Sequence, residues 1–249
     1  MDLRGLRLDL SLGREKRENK EMGLNNLLVA RIVCIVVGYF FGMIQTAVFY
    51  GRLKGVDIRK VGSGNAGTTN TLRVLGPKAG GIVLLGDILK CMAAIFVTYL
   101  LFGKSNPDYK VLFMTYTAAG AVLGHDFPFT LKFKGGKGIA CTAGYTIYLG
   151  IAFNWLFILM GVVSFFVPFN LFHIVSICSL FYYTALLIMT IVYGQMGLFG
   201  MLPQGALIEV YILVAILTAL AFYQHRGNIK KLLAGQERKT YIFKKNKID

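Results

Sequence analysis

The chain has 249 residues, of which 55% are hydrophobic and 16% are charged, and its formal net charge is +15. A soluble domain of this length needs a larger charged surface, and its amphipathic helices would interrupt such long apolar runs every third or fourth residue. These numbers exclude a soluble globular fold and predict an all-α integral membrane protein. The positive charge lies between the apolar runs, which suits cytoplasmic connections, membrane lipids and phosphorylated substrates and disfavours nucleic acid as a partner.

Residues 1–26 differ from the rest, because they mix basic and acidic side chains and contain no long apolar run. We interpret them as a flexible N-terminal tail. Met22 precedes the first apolar run and offers an alternative start of translation. That run is too long for a signal-peptide core and has no clear small-residue cleavage site, which indicates a retained membrane span.

A helix needs about 20 mostly apolar residues to cross the hydrocarbon core of a bilayer. The apolar runs between residues 27 and 224 predict seven such helices in one transmembrane domain, and residues 225–249 are predicted to form a basic cytoplasmic segment. The third run is short and needs residues from both flanks. Beyond residue 138 the divisions rest on weaker signals, since Glu209 is the only charge before Tyr223. The predicted spans are about 27–50, 79–102, 111–123, 138–153, 155–169, 172–193 and 206–223.

The distribution of charge predicts an orientation. The connections 51–78 and 125–137 and the C-terminal segment are all rich in Lys and Arg. If basic connections stay cytoplasmic, all three lie on one side, and an even number of spans separates the last two. Four spans satisfy this parity, and so would two. The N-terminus is then expected outside and the C-terminus in the cytoplasm.

A few polar and thiol groups lie within the apolar runs. Asp87 and Lys90 are spaced i, i+3 and can meet on one helix face. Because an intramembrane charge is costly unless it is paired or wet, a mutually satisfied pair and a direct contact with substrate both remain open. We interpret three isolated residues as interfacial: Arg31, His173 and Glu209. Four cysteines without CxxC spacing predict buried free thiols and no metal site: Cys34, Cys91, Cys141 and Cys178.

The first polar segment runs from Gly62 to Asn70 as GSGNAGTTN and continues to Arg73 and Gly76. Its glycine spacing formally matches GxGxxG, but no strand precedes it and no βαβ unit can be built. Glycines let backbone N–H groups approach an anion, and Ser, Thr and Asn add neutral donors. Arg73 offers a two-pronged contact to phosphate. A glycine-rich turn with a solvated Arg is the alternative.

The second polar segment, from His125 to Gly138, reads HDFPFTLKFKGGKG. It is not a Walker A loop, because Leu131 and Gly138 stand where the first Gly and the Ser or Thr belong. Three lysines among three glycines still form a compact cationic site, and the interleaved phenylalanines suit the lipid interface. The alternative, a basic connection with no further role, explains the lysines but not the glycines or His125.

The third polar segment begins at His225 with HRGNI and continues to Gly235 and Glu237. Taken alone it is typical of a basic juxtamembrane tail. The three segments together, however, resemble the bacterial glycerol-3-phosphate acyltransferases that use acyl-phosphate, the PlsY family. Residues 63–76 match the family pattern SGNxGxTNxxRxxG, and residues 124–138 match GHxFPxxxxFKGGKG.

The third segment matches the family pattern only in part. Gln224 replaces the Arg of the family's RHxxNI, and Gly227 stands where Glu is frequent. These changes put the role of that Arg in doubt, and Arg226 and Lys230 are candidates to replace it. The resemblance covers about residues 22–240 and excludes the tail.

The resemblance implies a seven-span fold in the bacterial plasma membrane, with an external N-terminus and a site built from glycine-rich cytoplasmic loops. It implies transfer of a fatty acyl group from acyl-phosphate to the 1-hydroxyl of glycerol 3-phosphate, giving lysophosphatidic acid and phosphate, the first step of phospholipid synthesis. Phosphate is a good leaving group, so no metal and no other cofactor is expected.

The expected site residues follow from this chemistry. Arg73, Lys137 and Asn70 are expected to hold glycerol phosphate through charge-assisted and neutral hydrogen bonds. His225 is the candidate for orienting or deprotonating the attacking hydroxyl, although a substrate phosphate can also accept that proton. Ser63, Asn228 and His125 complete the expected catalytic set; no covalent acyl-enzyme is expected. The acyl-phosphate side is expected to use Gly64, Asn65, Gly67, Thr69, Lys134, Gly135, Gly136 and Gly138.

Two other functions compete with this interpretation. A transporter or channel for phosphorylated anions would place glycine-rich helix breaks near the midplane of the membrane. Here the glycine clusters lie between the predicted spans. A family member that has lost activity and serves as a membrane scaffold is the second alternative, and the altered third segment motivates it.

Overall fold

The computed structural model describes Gly23 and residues 26–242, and every regular element in that part of the chain is helical. Of the predicted tail only Gly23 and Asn26 are described, and residues 243–249 also lie outside. The chain divides into residues 1–33, of which 26–33 are helical, and residues 34–249. The helices are α1 (residues 26–42), α2 (Thr46–Leu53), α3 (Thr68–Leu75), α4 (Pro77–Thr98), α5 (Lys110–Asp126), α6 (Ile139–Ala152), α7 (Leu156–Phe172), α8 (Val175–Gln195), α9 (Gln204–Gln224) and α10 (Arg226–Leu233).

The first predicted apolar run covers α1 and part of α2, and each of the other six corresponds to one of the helices α4 to α9. Among the described residues, four segments are long and apolar enough to cross a membrane: Asn26–Leu53, Pro77–Gly103, Val175–Gln195 and Gln204–Gln224. Ile139–Ala152 and Leu156–Phe172 are shorter apolar helices. The all-α membrane fold is therefore confirmed, while seven as the number of crossings stays a prediction.

Two predicted boundaries were wrong. The first run is not one helix, because the chain leaves helical geometry at residues 43–45 before α2 begins. His125 and Asp126, expected in a connection, form the last turn of α5. Hydrogen bonds made by the 43–45 segment underlie both differences. The carbonyl of Ile44 accepts from Lys90 of α4, and the side chain of Gln45 donates to the His125 carbonyl at the end of α5.

Helices α1 and α5 meet through glycines spaced four residues apart on each helix. A Cβ atom at Gly38 would lie 2.1 Å from the carbonyl oxygen of Thr117, and one at Gly124 would lie 2.1 Å from that of Tyr39. Gly42 and Gly120 make equivalent approaches. In lipid, where apolar side chains gain little by leaving their solvent, such close backbone contact is a main source of helix association.

The interior combines an apolar cluster with buried hydroxyl groups, and many large apolar side chains also point outward. Interhelical hydrogen bonds connect Thr98 with Thr117, Thr115 with Tyr145 and Thr142 with Tyr183. Side chains more than half exposed include Leu85, Leu89, Phe96, Ile188 and Ile216. This distribution is expected for helices surrounded by lipid. The four cysteines are buried and free, as predicted.

The three polar segments come together at one end of the helical bundle. The first forms the loop before α3 and α3 itself; the second connects α5 to α6; the third forms the end of α9, the short helix α10 and the chain that follows. Hydrogen bonds join Lys137 to Asn228 and Arg73 to Thr240 across sequence separations of 91 and 167 residues. The three polar segments therefore form one candidate site.

Candidate functional site

The first loop is shaped by glycines and braced by Asn70. Gly62 and Gly64 have φ angles of +62° and +70°, which side-chain-bearing residues rarely adopt. The Asn70 amide donates to the carbonyls of Ile58 and Val61, and its oxygen accepts from the N–H of Ser63. Asn70 is 1% exposed, and these contacts hold the loop from inside. The Asn70 amide thus forms its hydrogen bonds within the protein, which does not fit the direct contact with glycerol phosphate that we expected.

The other first-segment residues lie at the rim of this loop. Ser63 and Gly64 are exposed, and the Ser63 hydroxyl accepts a long hydrogen bond from the N–H of Asn65. The N–H groups of Gly64 and Gly67 donate to the carbonyls of Val61 and Asn65. Helix α3 begins after Gly67, so Thr69 lies in its first turn, where N–H groups have no partner within the helix.

The paired glycines of the second loop serve close packing. The N–H groups of Gly135 and Gly136 donate to the carbonyls of Asp126 and His125, both at 3.0 Å. A Cβ atom would lie 1.9 Å from the His125 carbonyl oxygen at Gly135 and 1.9 Å from the His125 Nε2 at Gly136. These N–H groups are therefore engaged by backbone carbonyls, and the expected contact of Gly135 and Gly136 with acyl-phosphate stays a prediction.

The rest of this loop projects Lys137 into the site. Gly138, at φ +73°, precedes α6 and packs against Val122 and Tyr183, while Lys134 remains exposed. Lys137 is half-buried, and its ammonium donates to the Asn228 side-chain oxygen. Burial lowers the pKa of Lys137, and the nearby carboxyl groups of Glu237 and Asp126 raise it.

His125 lies in a separate buried network. The Lys90 ammonium lies 2.9 Å from the Asp87 carboxylate, 2.6 Å from the Ile44 carbonyl oxygen and 2.8 Å from His125 Nδ1. An ammonium has three N–H donors, so all are used. Thr46 donates to the same Asp87 oxygen. The meeting of Asp87 and Lys90 is confirmed, and the expected catalytic position of His125 is not what the structure shows, because its ring is 4% exposed and enclosed by these groups.

His225 occupies the joint between α9 and α10. It is 3% exposed, and its Nδ1–H donates to the Ala221 carbonyl at 2.8 Å, which leaves Nε2 as the acceptor of the neutral ring. Burial and the Lys137 ammonium lower the pKa of His225 from 6.5 to about 4. A neutral imidazole with a free Nε2 lone pair can accept a proton or orient a hydroxyl at neutral pH.

Arg73 and Lys137 form the cationic centre of the site. Both are half-buried, and Lys137 is close enough to Arg73 for the two charges to oppose each other. Burial is also the main cause that lowers the pKa of Arg73, while Glu237 raises it. Glu237 accepts from the Asn228 amide at 2.7 Å and from the Ser176 hydroxyl at 3.2 Å. Glu237 is the carboxylate that acts on both of these desolvated cations, and such a cationic cluster attracts a further anion.

Sequence reasoning missed Ser176, Thr240 and the part played by Glu237. Ser176 and Thr240 stand outside the motifs, and nothing in their neighbourhood distinguishes them from ordinary helix and tail residues. The description of His173 and Glu209 as residues without companions was wrong. The His173 carbonyl accepts from the N–H of Thr240, and Glu209 accepts from the Tyr116 hydroxyl at 2.9 Å.

No cluster of His, Cys, Asp and Glu suited to a metal ion occurs in residues 26–242 or at Gly23. The fold and the cationic cluster define a polytopic integral membrane protein with an anion-attracting site at one end of its helices. A sequence model of the family described as glycerol-3-phosphate acyltransferase matches residues 32–235. The chain belongs to this family of membrane enzymes.

Curated relatives and solved structures agree with this assignment. The chain is 38% identical to glycerol-3-phosphate acyltransferase 2 of Thermotoga maritima over 211 residues, 84% of this chain and 96% of the relative. It is 35% identical to the glycerol-3-phosphate acyltransferase of Bacillus subtilis over 209 residues, 83% and 95% of the two chains.

The crystal structure of PlsY, an integral membrane glycerol 3-phosphate acyltransferase, in its glycerol 3-phosphate form is similar with a TM-score of 0.70 and 30% identity. The match covers 85% of this chain and 96% of that one. The lysophosphatidic acid form gives a TM-score of 0.68 at 29% identity, over 84% and 94%.

Replacing Lys90 tests the buried network. Lys90→Met leaves the Asp87 carboxylate buried without its cation, and breaking such a pair costs about 3–5 kcal/mol. We expect a clearly lower unfolding temperature in detergent, measured with a thiol-reactive fluorophore that detects the four buried cysteines as they become exposed. Asp87→Asn with Lys90→Met should recover part of the loss. Lys104→Met, at an exposed lysine, is the control; an unchanged unfolding temperature for Lys90→Met would refute the network's role.

His225 should remain neutral well below its usual pKa. Because the unfolded chain protonates this ring near 6.5 and the folded chain near 4, the unfolded state binds more protons between these values. The free energy of unfolding therefore falls as the pH is lowered through this window. NMR of histidine-labelled protein, with the signal assigned through His225→Gln, should show no titration of this ring from about pH 8 to about pH 5. A midpoint near 6.5 would contradict the burial argument.

Proposed function

We propose that this protein transfers a fatty acyl group from acyl-phosphate to the 1-hydroxyl of glycerol 3-phosphate, releasing lysophosphatidic acid and phosphate. The observation that carries the proposal is the pairing of Arg73 and Lys137. Two half-buried cations whose shared carboxylate, Glu237, offsets only part of their positive charge attract an anion, and a phosphate monoester can accept hydrogen bonds from both.

Arg73 and Lys137 hold the phosphate of the acceptor in this proposal. The guanidinium supplies a planar pair of donors and the ammonium a point charge. Asn228 orients the Lys137 ammonium, since its side-chain oxygen accepts from it. Asn70 acts indirectly, because its amide fixes the loop that leads into α3.

The donor phosphate fits the start of α3. The N–H groups of Thr68 and Thr69 lie in the first turn, where the helix dipole also favours an anion. The Asn65 side chain and the exposed Ser63 hydroxyl lie beside this turn. Gly64 and Gly67 set the path of the loop, and the exposed Lys134 adds positive charge at the entrance.

The reaction needs one bond exchange and one proton transfer. The glycerol 1-oxygen attacks the acyl carbonyl carbon, the bond from that carbon to the phosphate oxygen breaks, and the phosphate leaves with its electron pair. The hydroxyl proton passes either to the Nε2 of neutral His225 or directly to a substrate phosphate. A serine nucleophile is not required, and Ser63 has no neighbouring base among its recorded contacts.

Orientation follows from charge. All three basic segments lie at the end of the bundle that carries the site, and basic connections favour the cytoplasm. We propose that this end is cytoplasmic in a bacterial plasma membrane, with the N-terminus outside. Glycerol phosphate then enters from water, and the acyl chain enters from the lipid that surrounds the helices.

The altered third segment lines a basic cavity. A cavity of about 370 Å³ is lined by Lys137, Gln224, Arg226, Gly227, Asn228 and Lys230, three of them cations and none acidic. Arg226 is held over the Tyr223 ring, at 4.1 Å, and donates to the Tyr223 carbonyl. Arg226 and Lys230 therefore supply positive charge beside Gln224, the position of the Arg in the family pattern of the third segment.

A direct assay tests the function. Purified protein with labelled glycerol 3-phosphate should form lysophosphatidic acid from palmitoyl-phosphate and none from palmitoyl-CoA. Arg73→Ala and Lys137→Ala each remove charge-assisted hydrogen bonds to phosphate, so the KM for glycerol 3-phosphate should rise about tenfold to a hundredfold. Lys104→Ala is the charge-matched control. A folded protein that forms no product from either donor would rule the proposal out.

The role of the cavity is tested by removing the positive charges of Arg226 and Lys230. Arg226→Ala with Lys230→Ala should lower kcat/KM by roughly tenfold, because two charges beside the substrate phosphates are lost. Arg52→Ala with Lys54→Ala, at two exposed cations of the α2 region, removes the same charge elsewhere and should leave kcat/KM within about twofold. Equal values for the two double variants would show that Arg226 and Lys230 do not replace the missing Arg.

A further inference from the structure

The chain reverses direction after α10 and returns across the site. Gly235, at φ +68°, ends α10: its N–H donates to the Leu232 carbonyl, and the N–H of Gln236 donates to the Lys231 carbonyl. This pair of bonds is the Schellman arrangement, which caps a helix and turns the chain back. We call residues 236–241 the strap; they lie beyond residue 235, where the family match ends.

Thr240 is the most deeply placed residue of the strap. It is fully buried, and its hydroxyl oxygen accepts from Arg73 Nε at 3.1 Å and from Nη2 at 2.6 Å. The Arg238 carbonyl accepts from the same Nη2 at 3.2 Å. On the other side, the N–H of Thr240 donates to the His173 carbonyl at 2.7 Å, and the Tyr241 ring packs against the His173 ring. Thr240 is thus fixed between Arg73 and the α7–α8 junction.

These contacts leave one edge of the Arg73 guanidinium available. A guanidinium has five N–H donors in one plane. The strap engages the Nε and Nη2 donors, and within residues 26–242 no hydrogen bond is recorded for Nη1. The strap therefore fixes the plane of the group and leaves Nη1 to meet an anion.

The same strap acts on Lys137 through two intermediates. Glu237 accepts from the Asn228 side-chain N–H₂ and from the Ser176 hydroxyl. This contact sets which end of the Asn228 amide faces Lys137, since the amide oxygen must then accept from the ammonium. One short segment thereby orients both cations.

We propose that Thr240 is a positioning residue for phosphate recognition, which holds Arg73 in the orientation that binds the acceptor phosphate. The proposal rests on the proposed function. A valine has nearly the same shape as threonine and would fill the same space, so packing alone does not require the hydroxyl. The orientation of the Arg73 guanidinium does require the hydroxyl, because the hydroxyl oxygen accepts hydrogen bonds from two of its N–H groups.

Thr240→Val and Thr240→Ser separate orientation from packing. With Thr240→Val, the KM for glycerol 3-phosphate should rise about tenfold, while kcat and the KM for palmitoyl-phosphate change by less than about twofold. Thr240→Ser keeps the hydroxyl and should restore most of the affinity. Thr184→Val is the matched control, because the Thr184 hydroxyl is exposed and bonds only its own helix at Leu180. Unfolding temperatures accompany each variant.

Two results would overturn the proposal: a wild-type KM for glycerol 3-phosphate in a folded Thr240→Val protein, or an equal loss for both substrates that Thr240→Ser does not restore. If Thr240→Val does not fold, Thr240→Ala and Thr240→Ser are compared in the same way. Failure of the proposed function is distinguishable, because wild-type protein would then form no product. In that case thermal stabilisation by inorganic phosphate, present in wild type and lost in Thr240→Val, still decides whether the strap positions Arg73.

Discussion

A lysine buried among helices can remain charged only if each of its three protons has an acceptor, and this requirement organises much of the molecule. The acceptors of Lys90 come from three places: Asp87 on its own helix, the Ile44 carbonyl and His125 Nδ1. The carbonyl is available only because α1 stops being helical at residues 43–45. The His125 imidazole, in turn, packs against Gly136, so the position of the second loop depends on the Asp87–Lys90 ion pair.

The site is assembled from parts that are remote in sequence and individually unremarkable in structure. Arg73 comes from a short helix, Lys137 from a connection, His225 from a helix joint and Glu237 from the chain beyond α10. Packing of α1 on α5 through Gly38, Gly42, Gly120 and Gly124 brings the backbones of these two helices into close contact. Glu237 then offsets the mutual repulsion of the two cations and part of the cost of burying them.

Hydropathy and motif spacing predicted the helices and the two cations well, because both signals are local. The first predicted apolar run became two helices and each of the others corresponds to one, and Arg73 and Lys137 lie near each other. The roles of the glycines were harder to predict. A glycine that admits an anion and a glycine that admits a neighbouring part of the protein look the same in sequence. Gly135 admits the backbone of His125, and Gly136 admits its imidazole ring. The contributions of Thr240 and Ser176 could not be predicted from the sequence, since they depend on hydrogen-bond partners far along the chain.

The strap also has a consequence for the order in which the protein is made. Arg73 leaves the ribosome 167 residues before Thr240, so it enters the membrane-bound intermediate without its partner. When two segments far apart in sequence pair, the loop between them must close, and its entropic cost arises only after the later segment has been synthesised. The helices can therefore insert and pack during synthesis while the Arg73 guanidinium still lacks its contacts with Thr240. A partly synthesised chain would have a membrane domain without a finished site, and completing the strap would be the step that turns a helical bundle into a catalyst.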